Sequence, residues 1–246
     1  MRFRAIAFGL TAASLALTAR PAVAQHQRQV RHYNHQGRPY YAGPLHITLA
    51  GGTGFYDGDL GNSPTDNFYS VGGSLGVLYR LTPHLHVGSE FSYVPLGARD
   101  RLKERGLAFT GTNGVGTVFF RYDLLADESV FAASNAAPPV FQLYVQAGAG
   151  LLLYGPQAYP GTAPATAGTG FFAPERNDYP ALAGAFPVGA GFSVHLFDRW
   201  RAGLEGNYYF TTTDQLDDIS NLRLGGASNS LDNLATLMLK VDFSLE

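Results

Sequence analysis

From Ala181 to Phe210 the chain alternates residue by residue between two kinds of side chain. Trp200, Ala202, Leu204, Gly206, Tyr208 and Phe210 share one face of the second half, and Arg201, Gly203, Glu205, Asn207 and Tyr209 share the other. In the first half, Leu182, Phe186, Val188, Ala190, Phe192 and Val194 oppose Ala183, Ala185, Gly189, Gly191, Ser193 and His195. Only Phe197-Asp198-Arg199 joins the two runs. A period of two belongs to a strand whose faces meet different surroundings. Here the bulky face is apolar with aromatics near its ends, and the smaller face carries charges. That sorting fits a barrel standing in lipid, polar within and apolar without.

The same alternation recurs along the chain, and eight strands are expected: about 45–55, 68–81, 85–94, 109–122, 140–154, 181–196, 200–210 and 234–245. Outward positions include Leu49, Leu75, Val77, Phe91, Val118, Phe120, Val145, Leu151, Leu239 and Val241. The connections after the second and sixth strands are a few residues long. Those after the first, third, fifth and seventh are long and rich in Gly, Pro, Asn, Asp and Thr, as the outer loops of such barrels are. The connection at about 123–139 breaks this alternation, being long where a short turn is expected. The predicted fold is all-β: an eight-stranded antiparallel up-and-down transmembrane β-barrel.

The N-terminus reads as an export address. Arg2 and Arg4 precede a mostly apolar stretch, Ala5 to Leu17, which is too short to span a bilayer, and Ala22-Val23-Ala24 fits a small-x-small cleavage site. Residues 1–24 are therefore expected to be a signal peptide, 25–43 a flexible periplasmic arm and 44–246 the barrel. His32 and His35 fall in the arm and are taken as solvated. The chain has no cysteine, which excludes disulfides and thiolate chemistry. A net charge of −2 and the lack of a basic stripe give no reason to expect a nucleic-acid partner.

The inward positions gather Arg80, Glu90, Arg121, Arg201, Glu205, Lys240 and Asp242. Buried charges persist when paired and hydrogen-bonded. Eight strands enclose room for side chains rather than an open channel. These seven are expected to form a structural ion-pair network across the lumen, with a charged constriction of a pore as the alternative.

Three other groupings bear on chemistry. Asp214, Asp217 and Asp218 are weak candidates for a cation site, since their spacing matches no complete calcium loop; capping of backbone amides is the simpler role. Ser193 and His195 sit two apart on one face but lack a visible orienting acid or oxyanion donor. Glu90 and Glu205 could form a carboxylate pair, yet their basic neighbours favour ion pairing. No catalytic residue, bound metal or cofactor is expected.

Three segments resemble a known family. FQLYVQAGAGLLLYGPQA is similar to the fifth-strand signature of Bacteroidetes-type small outer-membrane β-barrel proteins, and ALAGAFPVGAGFSVHLFDRWRAGLEGNYYF to their strands joined by an aspartate-arginine turn. TTTDQLDDIS resembles the stretch that opens their last long loop, through Asp214, Leu216, Asp217, Asp218 and Ser220. The ending Phe243-Ser244-Leu245-Glu246 departs from members that finish on an aromatic residue. The resemblance implies a porin-like or OmpA-like barrel in the bacterial outer membrane, and some relatives are associated with type IX secretion. The expected role is structural or binding, through long outer loops over a closed lumen. A narrow diffusion channel and an accessory barrel of a type IX secretion apparatus are the alternatives. The expected partners are outer-membrane lipid and lipopolysaccharide, together with periplasmic or secretion-machinery proteins.

Overall fold

The computed structural model describes residues 30–61, 63–102, 104–219 and 231–245. The expected signal peptide, the first residues of the expected arm and Ser220 lie outside the described residues.

Among the described residues there are eleven strands: β1 (Arg31–Tyr33), β2 (Pro39–Tyr41), β3 (Leu45–Asp57), β4 (Gly72–Arg80), β5 (Leu85–Tyr93), β6 (Leu96–Arg99), β7 (Leu107–Asp123), β8 (Phe141–Pro160), β9 (Ala181–Phe197), β10 (Trp200–Thr211) and β11 (Asn233–Leu245). Nine of them form one antiparallel sheet in the order β5-β4-β3-β11-β10-β9-β8-β7-β6. The sheet closes because β5 also pairs with β7, from Leu85 opposite Tyr122 to Tyr93 opposite Gly114. β6 continues the same path along β7 after an interruption at Val94-Pro95, where proline brings no amide donor to the ladder. β5 and β6 thus act as one stave, and the molecule is a closed eight-stranded antiparallel β-barrel.

Strand facing follows the alternation. Leu49, Leu151 and Leu239 on the outside are 62%, 62% and 70% exposed, whereas Arg121, Gln146, Glu205 and Lys240 are buried within. Two bands of outward aromatics bracket this surface. Tyr79, Tyr122, Phe141 and Trp200 lie toward the short-turn end, and Tyr93, Phe186 and Phe210 toward the long-loop end. From Trp200 to Phe210 along β10 the rise at about 3.3 Å per residue, with a tilt of about 40°, gives a band about 25 Å tall.

Inward glycines make room for large neighbours. A Cβ on Gly191 would stand 2.5 Å from the Tyr144 ring, and one on Gly189 would stand 1.9 Å from Asn207 Oδ1. The lumen therefore holds Tyr144 and Asn207 because the facing positions carry no side chain.

The boundaries differ from expectation in three places. β4 begins at Gly72 rather than 68, because residues 67 and 68 turn aside to meet β6 through Asn67–Ala98 and the Phe68 amide on Gly97 O. β8 runs on to Pro160, well above the expected end at Tyr154, because it pairs with β7 up to Leu107. The stretch expected as a flexible arm carries the β1–β2 hairpin. Its turn is set by Asn34 Oδ1, which accepts the Gln36 and Arg38 amides, and by Gly37 at a φ of +74°.

Candidate functional site: a charged lumen with two different ends

At the middle of the lumen, Lys240 from β11 reaches two acids at once. Its Nζ lies 2.9 Å from Glu205 Oε2 and 3.0 Å from Oε1 on β10, and 2.8 Å from Glu90 Oε2 on β5. Glu205 also accepts the Tyr144 hydroxyl at 2.9 Å and the Asn207 side-chain amide at 2.9 Å, and Gln146 donates to Asn207 at 2.8 Å. Ser92 donates to Glu90 at 3.2 Å. β5, β8, β10 and β11 are thereby tied together across the interior. Such an arrangement satisfies buried charge through both pairing and hydrogen bonds.

Toward the short-turn end three arginines converge, and their partners come from an unexpected place. Arg121 bonds Asp123 at 3.0 Å, at the very end of β7, and its guanidinium sits 3.5 Å over the Tyr144 ring. Arg80 pairs with Asp127 at 3.0 Å, and Arg201 approaches the same carboxylate at 3.9 Å. Asp127 belongs to the 124–140 connection, so the connection that broke the short-turn rule is a plug. Its Asp127 caps a short 3-10 turn, Glu128–Val130, while the same carboxylate enters the lumen. The β1–β2 hairpin braces this plug from below. Arg38 bonds Glu128 at 2.7 Å and lies 3.9 Å over Phe131, whose ring meets Tyr40 edge-on at 6.4 Å. His86 joins the group, accepting from Arg80 at 3.3 Å.

Of the seven inward charges expected from sequence, Lys240, Glu90 and Glu205 are brought into direct contact. Arg121 finds Asp123, the last residue of β7, and Arg80 and Arg201 find Asp127 of the following connection, instead of the strand acids expected. Asp242 faces Arg201 in the strand register, and its Oδ1 has no hydrogen-bond partner among the protein atoms. Asp123 was missed because the fourth strand was expected to end one residue before it, and Asp127 because it lies in a connection outside any stretch of alternating residues. The signal for Asp127 was the irregular length of its connection together with an Asp-x-Ser turn.

The long-loop end is organised around apolar contacts. Leu60, Leu96, Phe109, Leu152, Leu216, Ile219 and Leu234 form one cluster, with the Tyr56 ring edge-on to Phe109 at 4.8 Å. Within it the Tyr56 hydroxyl lies 2.8 Å from Asp217 Oδ2 and 2.7 Å from Asp232 Oδ1. Asp217 Oδ1 accepts the Ile219 amide at 2.9 Å, and Asp232 Oδ2 accepts the Leu216 amide at 2.9 Å. Burial raises both acids above the usual carboxylate range. The neighbouring Asp232 raises Asp217 further, and Asp232 itself is pushed up to about 7.

The three expected cation candidates are not gathered. Asp214 is exposed, Asp218 accepts the Glu175 amide at 2.9 Å, and Asp217 serves Tyr56 and Ile219. Among the described residues no three His, Cys, Asp or Glu side chains are placed to hold a metal ion. Ser193 Oγ and His195 Nδ1 both lack hydrogen-bond partners and are not bonded to each other. Glu90 and Glu205 share Lys240 rather than standing as a free acid pair.

No known family model and no curated protein matches the sequence. Solved structures similar to this chain include Neisserial surface protein A, at 9% identity and a TM-score of 0.47, covering 83% of this chain and 99% of that one. Another is Ail, the attachment invasion locus protein of Yersinia pestis, in complex with the heparin analogue sucrose octasulfate, at 12% identity and 0.44, covering 82% and 97%. A third is a major outer membrane protein from Thermus thermophilus, at 13% identity and 0.42, covering 82% and 100%.

Proposed function

We propose that this chain is an outer-membrane β-barrel whose lumen is closed by charged side chains and whose structural or binding role is carried by its long outer loops. The observation that carries this reading is the Lys240–Glu205–Glu90 bridge, which ties opposite walls together inside a surface of exposed apolar residues. A polar, occupied interior and an apolar exterior banded by aromatics suit a barrel in lipid. In that setting the short-turn end, with the β1–β2 hairpin and the 124–140 plug, faces the periplasm, and the long loops face outward. Membrane lipid and lipopolysaccharide then cover the apolar band. The kinship with Bacteroidetes-type barrels rests on the sequence segments alone.

The plug favours a second reading, a narrow diffusion channel. Asp127 reaches the lumen from a connection rather than from a wall, so its departure would leave Arg80 and Arg201 lining an opening.

Fractionation and facing test the membrane reading together. The chain has no cysteine, so single cysteines report cleanly. Recovery with the outer membrane is expected, with a lipid-confined thiol probe labelling cysteines at 145, 192 and 204 and sparing those at 146, 201 and 205. Recovery as a soluble periplasmic protein, or labelling of the second set alone, contradicts the reading.

A further inference from the structure

The Tyr56 hydroxyl touches two different carboxylate oxygens, Asp217 Oδ2 at 2.8 Å and Asp232 Oδ1 at 2.7 Å. Each contact at that distance is a hydrogen bond and needs a hydrogen between the oxygens. A phenol has one hydrogen, and an ionised carboxylate has none. The other oxygen of each acid is already engaged by a backbone amide, Ile219 on Asp217 and Leu216 on Asp232. The second hydrogen must therefore sit on one of the two acids and be donated back to the phenol oxygen. We propose that Asp217, Tyr56 and Asp232 form a proton-held latch, in which one bound proton clamps the 212–219 and 231–232 segments onto the long-loop end of the barrel.

The surroundings support a proton as the ligand. Asp217 and Asp232 are fully buried. Asp59, on the connection after β3, is a third acid whose charge raises both. From β3 the Tyr56 phenol meets the pair, while the adjacent Asp57 is bonded to Tyr208 instead, and Leu96 of β6 and Phe109 of β7 are apolar. Asn67, also neutral, is occupied with the Tyr56 backbone, its Oδ1 taking the amide at 2.6 Å and its Nδ2 reaching the carbonyl at 3.1 Å. Two ionised aspartates in that setting repel, and among the described residues no cation bonds either of them. The latch also holds Leu216 and Ile219 in the apolar cluster, and the adjacent Asp218 anchors the Glu175 amide of the 161–180 loop. Release thus loosens two outer loops together.

The sign follows from linkage. The closed form binds a proton that ordinary aspartates, titrating near about 4, give up. Closure is at full strength below that value and is lost as pH rises through the value of the buried pair, which burial and mutual repulsion hold well above the usual carboxylate range. One proton released changes the closed-to-open ratio by about tenfold per pH unit.

Hydrogen exchange of the Leu216 and Ile219 amides in detergent micelles reads that ratio, with intrinsic exchange rates divided out at each pH. Protection is expected to fall about tenfold per unit between about pH 5 and 7 in the wild type. Asp217→Asn and Asp232→Asn each supply the missing hydrogen permanently from a side-chain amide. Either variant is expected to keep protection flat up to pH 8. Carbon-13 titration of wild-type aspartate carboxyls should in turn show a step well above pH 4 that disappears in these variants. Flat wild-type protection overturns the latch whatever the carboxyls do. An unchanged pH slope in a folded Asn variant, or carboxyls that all titrate near about 4, also overturns it.

Discussion

At the short-turn end Asp123 and Asp127 meet Arg121, Arg80 and Arg201, whereas at the long-loop end Asp217 and Asp232 meet one phenol and the backbone amides of Ile219, Leu216 and Asp59. Both pairs of acids are buried to a similar degree. The first pair is neutralised by fixed cations that hold their charge at any ordinary pH. The second pair has hydrogen bonds without neutralisation, so its stability depends on how many protons it keeps. Burial alone therefore does not decide how a carboxylate behaves in this barrel; the charge of its nearest partners does.

Removing a cation should have the largest effect. Lys240→Met leaves Glu90 and Glu205 facing each other without a counter-charge, and about 3–5 kcal/mol of stability should be lost. Reversible denaturant unfolding in lipid or detergent measures it. Glu205→Ala should cost less, because Glu90 stays on Lys240. A smaller loss from Lys240→Met than from Glu205→Ala would break the comparison, since it would mean that the acids do not need the lysine.

Asp127→Ala is expected to cost about 1–3 kcal/mol, the range for a buried polar group that loses a partner, because Arg80 keeps its bond to His86 and Arg121 keeps Asp123. The same change should increase protease access to the 124–140 connection, as the plug loses its anchor. Tyr56→Phe should fall in the same range at pH 5, where the latch is closed. Asp217→Asn is the smallest change: at pH 5 it should lie within about 1 kcal/mol of the wild type, and at pH 8 it should be the more stable of the two. A wild type whose short-turn end loosens with pH before its long-loop end would reverse the assignment of the two chemistries.

The barrel walls were legible because a strand whose two faces meet different surroundings repeats every two residues, and a slip of one residue would turn Leu204 inward and Arg201 outward. The same rule placed Lys240, Glu205 and Glu90 within reach of one another. It was silent about groups outside the strands. Asp127 lies in a connection, and its partners Arg80 and Arg201 are distant in sequence. Tyr56 and Asp232 belong to different ends of the chain, and only barrel closure brings β3 beside β11. The amide-capping role expected near Asp217 anticipated the Ile219 contact but not the phenol. The β1–β2 hairpin had a local signal, Asn34 and Gly37 between Tyr33 and the Tyr40-Tyr41 pair, which the polar composition of the stretch obscured.

Closure of the lumen is tested most directly by single-channel recording of the purified wild-type protein in planar lipid bilayers. With Lys240, Glu205 and Glu90 spanning the middle and Asp127 plugging the short-turn end, insertion should give no steady current. Long-lived, uniform steps of porin size would contradict the account and would make the charged residues the lining of a channel.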